Sequence, residues 1–452
     1  MTHVLVIGGS DAGISASLRA REVDPSADVT MVVADAYPNF SICGIPFYLS
    51  GETPDWRDLA HRTRDEIEAS GLTLLLDTRA TSIDPSSRNV SLTGPDGVER
   101  TVSYDRLVVG TGATPIRPPI AGLDSDGVYL LHTMDDTFAV HERLETSSSA
   151  VIVGAGYIGL EMADALTHRG MSVTVLEQAP TVMTTVDADL GATIRTALET
   201  RGVRVVTGAL VREISGSGGT LSVSGDGFEP VIADVVLVVV SVRPDTSLAR
   251  DAGIELGVRD AIRVDRHMRT NAPDVFAAGD CVETWLRLLR RPAYMPLGTT
   301  SHKQGRVAGE NAVGGHREFQ GSLGTQVVKV FDLAIARTGL RDADARDAGF
   351  DPLTVELAAW DHKVYYPGAT RMTVRVTGDR RDGRLLGAQI VGHFQGQVAK
   401  RVDVFAAALH HGMAVDELSD LDLSYTPPLS SPWDPVQMGA QEWVRRAAPV
   451  VG

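Results

Sequence analysis

The sequence predicts an α/β protein: two Rossmann-like dinucleotide-binding domains followed by a C-terminal α+β domain. Three observations carry that prediction. A βαβ rhythm opens the chain at Val4–Ile7, Ile14–Glu22 and Val29–Val33. The same rhythm restarts at Ala150–Val153, continues through a helix from Ile158 to about Arg169 and returns at Val173–Glu177. From about Gly324 the apolar residues alternate instead, at Thr373–Val376 and Leu385–Val391, before a long helix near Val398–His411 and a Pro-rich tail.

Taken in order, each element has a reason. Val4–Ile7 is a short apolar run of the kind buried in a parallel sheet, and it ends in a glycine-rich turn. Tyr104–Pro115 (YDRLVVGTGATP) is another buried strand with a glycine turn, and Asp234–Pro244 (DVVLVVVSVRP) repeats its layout after the second unit. The two halves therefore read as duplications of one design. Domain boundaries are expected at 1–115, 116–243, 244–323 and 324–452, with the third segment completing the first domain. No low-complexity linker separates them, so packed domains are expected.

Composition narrows the function. The 452 residues are 43% hydrophobic and 22% charged, a globular balance. Fifty-eight acidic against forty-two basic residues give a net charge of −16, which repels phosphate backbones and anionic lipid, so neither nucleic acid nor membrane is expected as a partner. Two cysteines cannot build a disulfide framework, and no metal-binding cluster is visible. The longest apolar run, around Val235–Val240, falls well short of the ~20 residues of a membrane helix. With no signal-peptide pattern at the N-terminus, a cytoplasmic protein is expected.

Gly154-Ala155-Gly156-Tyr157-Ile158-Gly159 follows a strand and opens a helix, and Glu177 ends the next strand. Such glycines let a pyrophosphate approach the helix N-terminus, while Glu177 can accept the ribose hydroxyls. A carboxylate there disfavours a 2′-phosphate, so NADH is expected ahead of NADPH. The N-terminal copy, Gly8-Gly9-Ser10-Asp11-Ala12-Gly13, has Ser10 at the second glycine position. The acid expected at the end of its second strand is displaced to Asp35, which reads equally as a ribose ligand or a solvated turn residue. A distant segment, Thr270–Asp280, brings Gly279 and Asp280 to a turn where Asp280 could bind a flavin ribityl hydroxyl.

On these residues the chain resembles the two-dinucleotide-fold flavoprotein disulfide reductases over essentially its whole length. Thr111-Gly112-Ala113-Thr114-Pro115 resembles that family's crossing between FAD and NAD domains, and the Asp280 segment its flavin signature. FAD and NAD(P)H are thus implied as cofactors. Tyr294–Arg306, with Gly298, Thr299 and Thr300, resembles the helix approaching the flavin pyrimidine end. Asn39–Tyr48, containing Cys43, is similar to the single-cysteine branch of coenzyme A-disulfide reductase, NADH oxidase and NADH peroxidase.

Cys43 is the redox candidate, with a buried inert thiol as the alternative. Tyr48 stands at the C-x4-C position, so Cys43 has no internal partner there and must cycle as a mixed disulfide, persulfide or sulfenic acid. A low thiol pKa is expected to serve any of these. Cys281 is expected to be structural. The resemblance further implies that Tyr157 is an aromatic gate to the nicotinamide site and Glu161 its neighbouring carboxylate. Leu423–Pro435 and Val364–Gly368 are similar to the branch's C-terminal signatures, which implies a homodimer with Tyr425, and Tyr365 or Tyr366, reaching the partner subunit's Cys43, a rigid aromatic-proline plug at the dimer interface being the equal alternative. Arg19, Ser41, Ile42 and Arg62 are the substrate-side candidates, solvated arginines being an equal reading.

Three departures bear on activity. Ile42 stands where the branch commonly has Asn, Asp11 where its peroxidases carry His, and Glu22 where Arg is frequent. Peroxidase activity is accordingly disfavoured, and no rhodanese-like extension is expected. The expected function is electron transfer from NAD(P)H through FAD to Cys43 and on to a small disulfide or persulfide, with coenzyme A disulfide foremost. An NADH oxidase reducing O2 and a flavoprotein redox sensor with little turnover are the alternatives.

Overall fold

The computed structural model describes residues 1–217 and 219–448. The first sheet is parallel and five-stranded, in the order Val275–Ala277, Arg106–Val109, His3–Ile7, Asp28–Val32, Leu72–Leu75. The second, also parallel, runs Arg204–Thr207, Ser172–Glu177, Ser149–Val153, Val235–Val238, Val128–Tyr129. In both, the strand that ends in the glycine loop is central. In each sheet the edge strand, Leu72–Leu75 or Arg204–Thr207, leads into a three-stranded antiparallel meander, Arg79–Ser103 or Leu210–Ala233, before the chain returns beside the central strand. The duplication read from the sequence therefore extends to topology.

The segment Val275–Ala277 adds to the edge of the first sheet although nearly 170 residues separate it from its neighbour Arg106–Val109. Two connections between the units pair with each other, Ala113–Pro115 antiparallel to Val242–Pro244. The C-terminal domain is a five-stranded antiparallel sheet, in the order Gln326–Val330, Leu333–Gly339, Leu385–His393, Arg371–Asp379, Pro352–Trp360. Helices Val398–His411 and Pro435–Ala447 bury Val402, Phe405, Leu409, Val436, Ala440 and Trp443 against it.

Cores cross the units. Ile45 and Leu49, on the short helix just after Cys43, pack with Ile152, Leu160 and Val173 of the second unit and with Val328, Val330 and Ile335 of the C-terminal sheet. The Cys43 segment is thereby fixed where three parts of the chain meet. No helix among the described residues is long and apolar enough to cross a membrane.

Candidate functional site

The two glycine loops share their backbone geometry at the positions that matter. Gly8 has φ +112 and Gly154 φ +109, values that L side chains rarely adopt. A Cβ on Gly13 would lie 1.9 Å from the Gly8 carbonyl oxygen, and one on Gly159 2.0 Å from that of Gly154. These glycines let helices Asp11–Val23 and Tyr157–His168 start against their strands. The second glycine position is different. Gly156 has φ −80 and ψ −167, and Ser10 has φ −90 and ψ −165, extended backbone open to any residue. Ser10 thus occupies the same conformation without strain.

Ser10, Gly156 and Leu297 cap helices Asp11–Val23, Tyr157–His168 and Gly298–Ala312 without any side-chain hydrogen bond. Their first-turn N–H groups and positive dipole ends are therefore available to an anion. Helices Asp11–Val23 and Gly298–Ala312 approach closely because Gly305 and Gly309 face Ala12 and Ala16, where a Cβ would lie 2.2 and 2.0 Å from a carbonyl oxygen. The Tyr294 hydroxyl is buried without a partner beside Asp280. These are features a flavin dinucleotide would fill, with Gly9, Ala12, Gly279, Thr299 and Thr300 around the same junction.

Asp280 receives a 2.7 Å hydrogen bond from the Ser301 hydroxyl, and Gly279 donates its N–H to Gln304 at 3.0 Å. Burial raises the Asp280 carboxyl above its usual range despite that hydrogen bond, and the Asp11 carboxylate adds to the rise. Asp11 is itself raised by burial, with His61 and His302 opposing, and its carboxylate lies against the first residue of the Gly298 helix. Thr111 donates to the Asp245 carbonyl at 2.6 Å, tying the two interdomain connections together beside Gly112 and Ala113. Asp35 lies beyond the strand end and accepts the Tyr37 N–H at 2.9 Å, a turn contact, and burial raises it.

In the second loop, Glu177 Oε2 accepts the Ala155 N–H at 2.6 Å and Oε1 the Ala179 N–H at 2.7 Å. The carboxylate is locked at the strand end, next to the glycine turn. Tyr157 donates to Gln326 of the C-terminal sheet and accepts from Thr185 at 3.0 Å. Burial raises its phenol. Glu161, one turn on, is pushed up to about 7 by burial and Asp164, with Lys329 opposing.

Cys43 lies in the turn Ile42–Gly44 and keeps solvent contact, although protein atoms crowd most of its surroundings. That crowding, then Glu161, Asp11 and Asp280, push its thiol above the ordinary range. Three carboxylates thus weigh against ionisation of this thiol, and the low pKa that the redox cycle calls for would have to come from a helix N-terminus or from bound oxidised flavin. Cys281 is buried, its thiol directed at the Val109 and Ala278 carbonyls, and burial pushes it up to about 11.

The substrate-side arginines divide. Arg19 is clamped by Glu310 at 2.6 Å and Glu22 at 2.8 Å, so its guanidinium has little left for a substrate phosphate. Glu22, the departure noted above, is one of the two carboxylates responsible. Arg62 and Ile42 are exposed, and Ser41 is half-buried. Tyr365, Tyr366 and Tyr425 form an exposed patch with Val364, Leu429 and Trp433, in which Tyr425 faces the Tyr365 hydroxyl and is raised by it. Neither phenol is among the groups acting on the Cys43 thiol of the same chain.

Sequence reasoning missed Gln326 and Thr185 on Tyr157, Asp164 and Lys329 beside Glu161, and Tyr294 beside Asp280. Only Lys329 left a trace, as one of four lysines in the chain, set between Val328 and Val330 of a strand.

Two family models match. Residues 2–305 match pyridine nucleotide-disulphide oxidoreductase, and residues 325–435 match the dimerisation domain of the same family. The NAD(P)H sulfur oxidoreductase (CoA-dependent) of Pyrococcus abyssi is 33% identical, covering 96% of each chain. The NADH oxidase of Methanocaldococcus jannaschii is 31% identical over 98% of this chain and 99% of its own. Among solved structures, a NAD-dependent persulfide reductase from A. fulgidus superimposes with a TM-score of 0.94 at 36% identity, covering 98% of this chain and 83% of that one.

Proposed function

The chain belongs to the pyridine nucleotide-disulphide oxidoreductase family, and on that premise we propose that it carries electrons from NADH to Cys43 and on to a small disulfide or persulfide. The family is FAD-dependent and uses NAD(P)H, and the glycine cradles, the uncapped helix starts and the unpartnered Tyr294 hydroxyl suit a bound dinucleotide. The observation that carries the reading is Cys43 itself. It is a solvent-reachable thiol in a chain whose second cysteine is buried against backbone carbonyls.

Residues Gly8, Gly9, Ser10, Asp11, Ala12, Gly13, Thr111, Gly112, Ala113, Gly279, Asp280, Gly298, Thr299 and Thr300 would hold FAD. Gly154, Gly156, Ile158, Gly159 and Glu177 would hold NADH, with Glu177 supplying the preference over NADPH. When bound, FAD relays the electron pair of the nicotinamide hydride to sulfur. Cys43 Sγ, as the thiolate, attacks one sulfur of the substrate, and the first thiol leaves as the mixed disulfide forms. Releasing the second thiol and restoring the Cys43 thiolate would draw on the electron pair that bound flavin supplies. Each departing thiolate needs a proton, and Tyr425 and Tyr365 of a second subunit are the proposed donors. The exposed tyrosine patch on the dimerisation domain supports a homodimer in which they reach across.

Coenzyme A disulfide or persulfide leads as substrate, with Arg62 as the remaining free candidate for its phosphates now that Arg19 is paired. The second reading, NADH oxidase, is favoured by the match to the Methanocaldococcus jannaschii protein. Anaerobic NADH titration with intact mass before and after, followed by coenzyme A disulfide or oxygen, separates them. Release of a small thiol from Cys43 and reoxidation by the disulfide support the proposal. If Cys43 never changes mass and only oxygen reoxidises the enzyme, the thiol cycle is wrong.

A further inference from the structure

The short helix Ile45–Ser50 after Cys43 packs against the Glu161 helix; Arg169 at the far end of that helix donates to the Leu49 carbonyl at 3.1 Å, and Lys329 stands beside Glu161. Lys329 arrives on strand Gln326–Val330 of the C-terminal sheet. Its Nζ lies 3.1 Å from Asp164 Oδ2, 3.8 Å from Glu52 Oε1 and 5.8 Å from the centre of the Phe47 ring. The Phe331 N–H donates to the same Asp164 oxygen at 2.9 Å, so that carboxylate is held by two groups of the C-terminal domain. Pro46, Phe47, Glu52, Glu161, Asp164 and Lys329 line one narrow cleft. Three carboxylates therefore share a single ammonium there.

We propose that Lys329 is a positioning residue that ties the Cys43 segment to the Glu161 helix and, by offsetting Asp164, sets how much of Glu161 carries a proton at neutral pH. The functional consequence rests on the reading of Glu161 as the carboxylate beside the nicotinamide path. The groups facing Glu161 are Asp164 and Tyr157 on its own helix, Lys329 from the strand, Glu52 beyond the short helix, and Cys43 on the turn before it. Burial and Asp164 favour the protonated acid, and Lys329 opposes both. Among the charges that raise the Cys43 thiol, Glu161 comes first, so each proton gained by Glu161 removes negative charge from beside the sulfur. A lysine of the C-terminal domain in this way adjusts both the hydride side and the thiol side of the site.

The test is an infrared titration of the holoenzyme across neutral pH, following the protonated-carboxyl band that disappears in Glu161→Gln. Lys329→Met should move its midpoint up by about one unit, and Asp164→Asn should move it down. Lys329→Arg, which keeps the charge, should restore the midpoint. A midpoint unmoved in Lys329→Met, or one that Lys329→Arg fails to restore, overturns the proposal. Should Lys329→Met not fold, a midpoint unmoved in Asp164→Asn does the same. The titration needs no substrate, so a wild-type enzyme that fails to reduce disulfides would sink the functional reading while leaving these shifts intact.

Discussion

Replacing Glu161 by Gln should stabilise the protein, and by more as the pH rises. The carboxyl is pushed up to about 7 in the folded chain against a usual value of 4.5; burial and Asp164 cause the shift against an opposing Lys329, and no hydrogen bond is among the causes. An amide of the same shape therefore forfeits no hydrogen bond. Below the usual value the acid is protonated in both folded and unfolded chains, and ionisation costs nothing. Between the two values the unfolded chain ionises while the folded one resists, so the folded state loses ground with each step in pH. Above about 7 the cost is complete, and roughly 2.5 units at 1.36 kcal/mol each give an upper bound of about 3 kcal/mol. Paired thermal melts of wild type and Glu161→Gln, loaded equally with flavin, measure it. The two should coincide near about pH 4.5 and diverge upward, the variant melting a few degrees higher near about pH 8. A difference that stays constant with pH, or that favours wild type at high pH, would show that Glu161 is not held in a charge-averse site.

Three further outcomes follow from the geometry. Gly13→Ala should abolish flavin retention, because its Cβ would meet the Gly8 carbonyl at 1.9 Å, whereas Ser10→Gly should bind flavin to within about 0.5 kcal/mol of wild type; flavin absorbance after gel filtration decides. Glu177→Gln should weaken NADH by about tenfold and narrow the preference over NADPH, since two backbone N–H groups lose a charged acceptor of about 1.5 kcal/mol; rates of anaerobic flavin reduction across both nucleotides report the ratio. Arg375→Met should cost about 2 kcal/mol, below the usual penalty for a broken buried pair, because two of its three acidic partners are half or more exposed; the melting midpoint measures it.

What the sequence disclosed, and what it concealed, divides along sequence separation. The strand, glycine loop and helix of each dinucleotide fold are set by neighbouring residues, so both units were legible from spacing, whereas of the five strands of the C-terminal sheet only those at Arg371–Asp379 and Leu385–His393 were read. Ser10 looked like a flaw in the first fingerprint. The paired dihedrals of Ser10 and Gly156 show why it is harmless: that position needs room for a ligand and not a left-handed backbone. Arg19 looked free because its partner Glu310 lies 291 residues away. The carboxylates that act on Cys43 were hidden for the same reason, since Glu161 and Asp280 approach it only after the chain has folded.

One group of the contacts that escaped the sequence runs from the C-terminal domain to the second dinucleotide unit. Gln326 holds Tyr157, and Lys329 holds Asp164. Arg337 donates to the Thr185 carbonyl, Arg341 to that of Thr184, and Arg375 and Gln389 both reach the Asp187 carboxylate. None is encoded by a motif, because each joins residues more than 150 positions apart. Together they fix the Tyr157 loop and the segment 184–187 to a domain that supplies no part of either glycine loop. A swing of Tyr157 away from its resting place must therefore break its bond to the C-terminal sheet, while the arginine contacts at 184–187 keep the surrounding backbone still. The domain matched to dimerisation thus holds Tyr157 and the segment beside it in place.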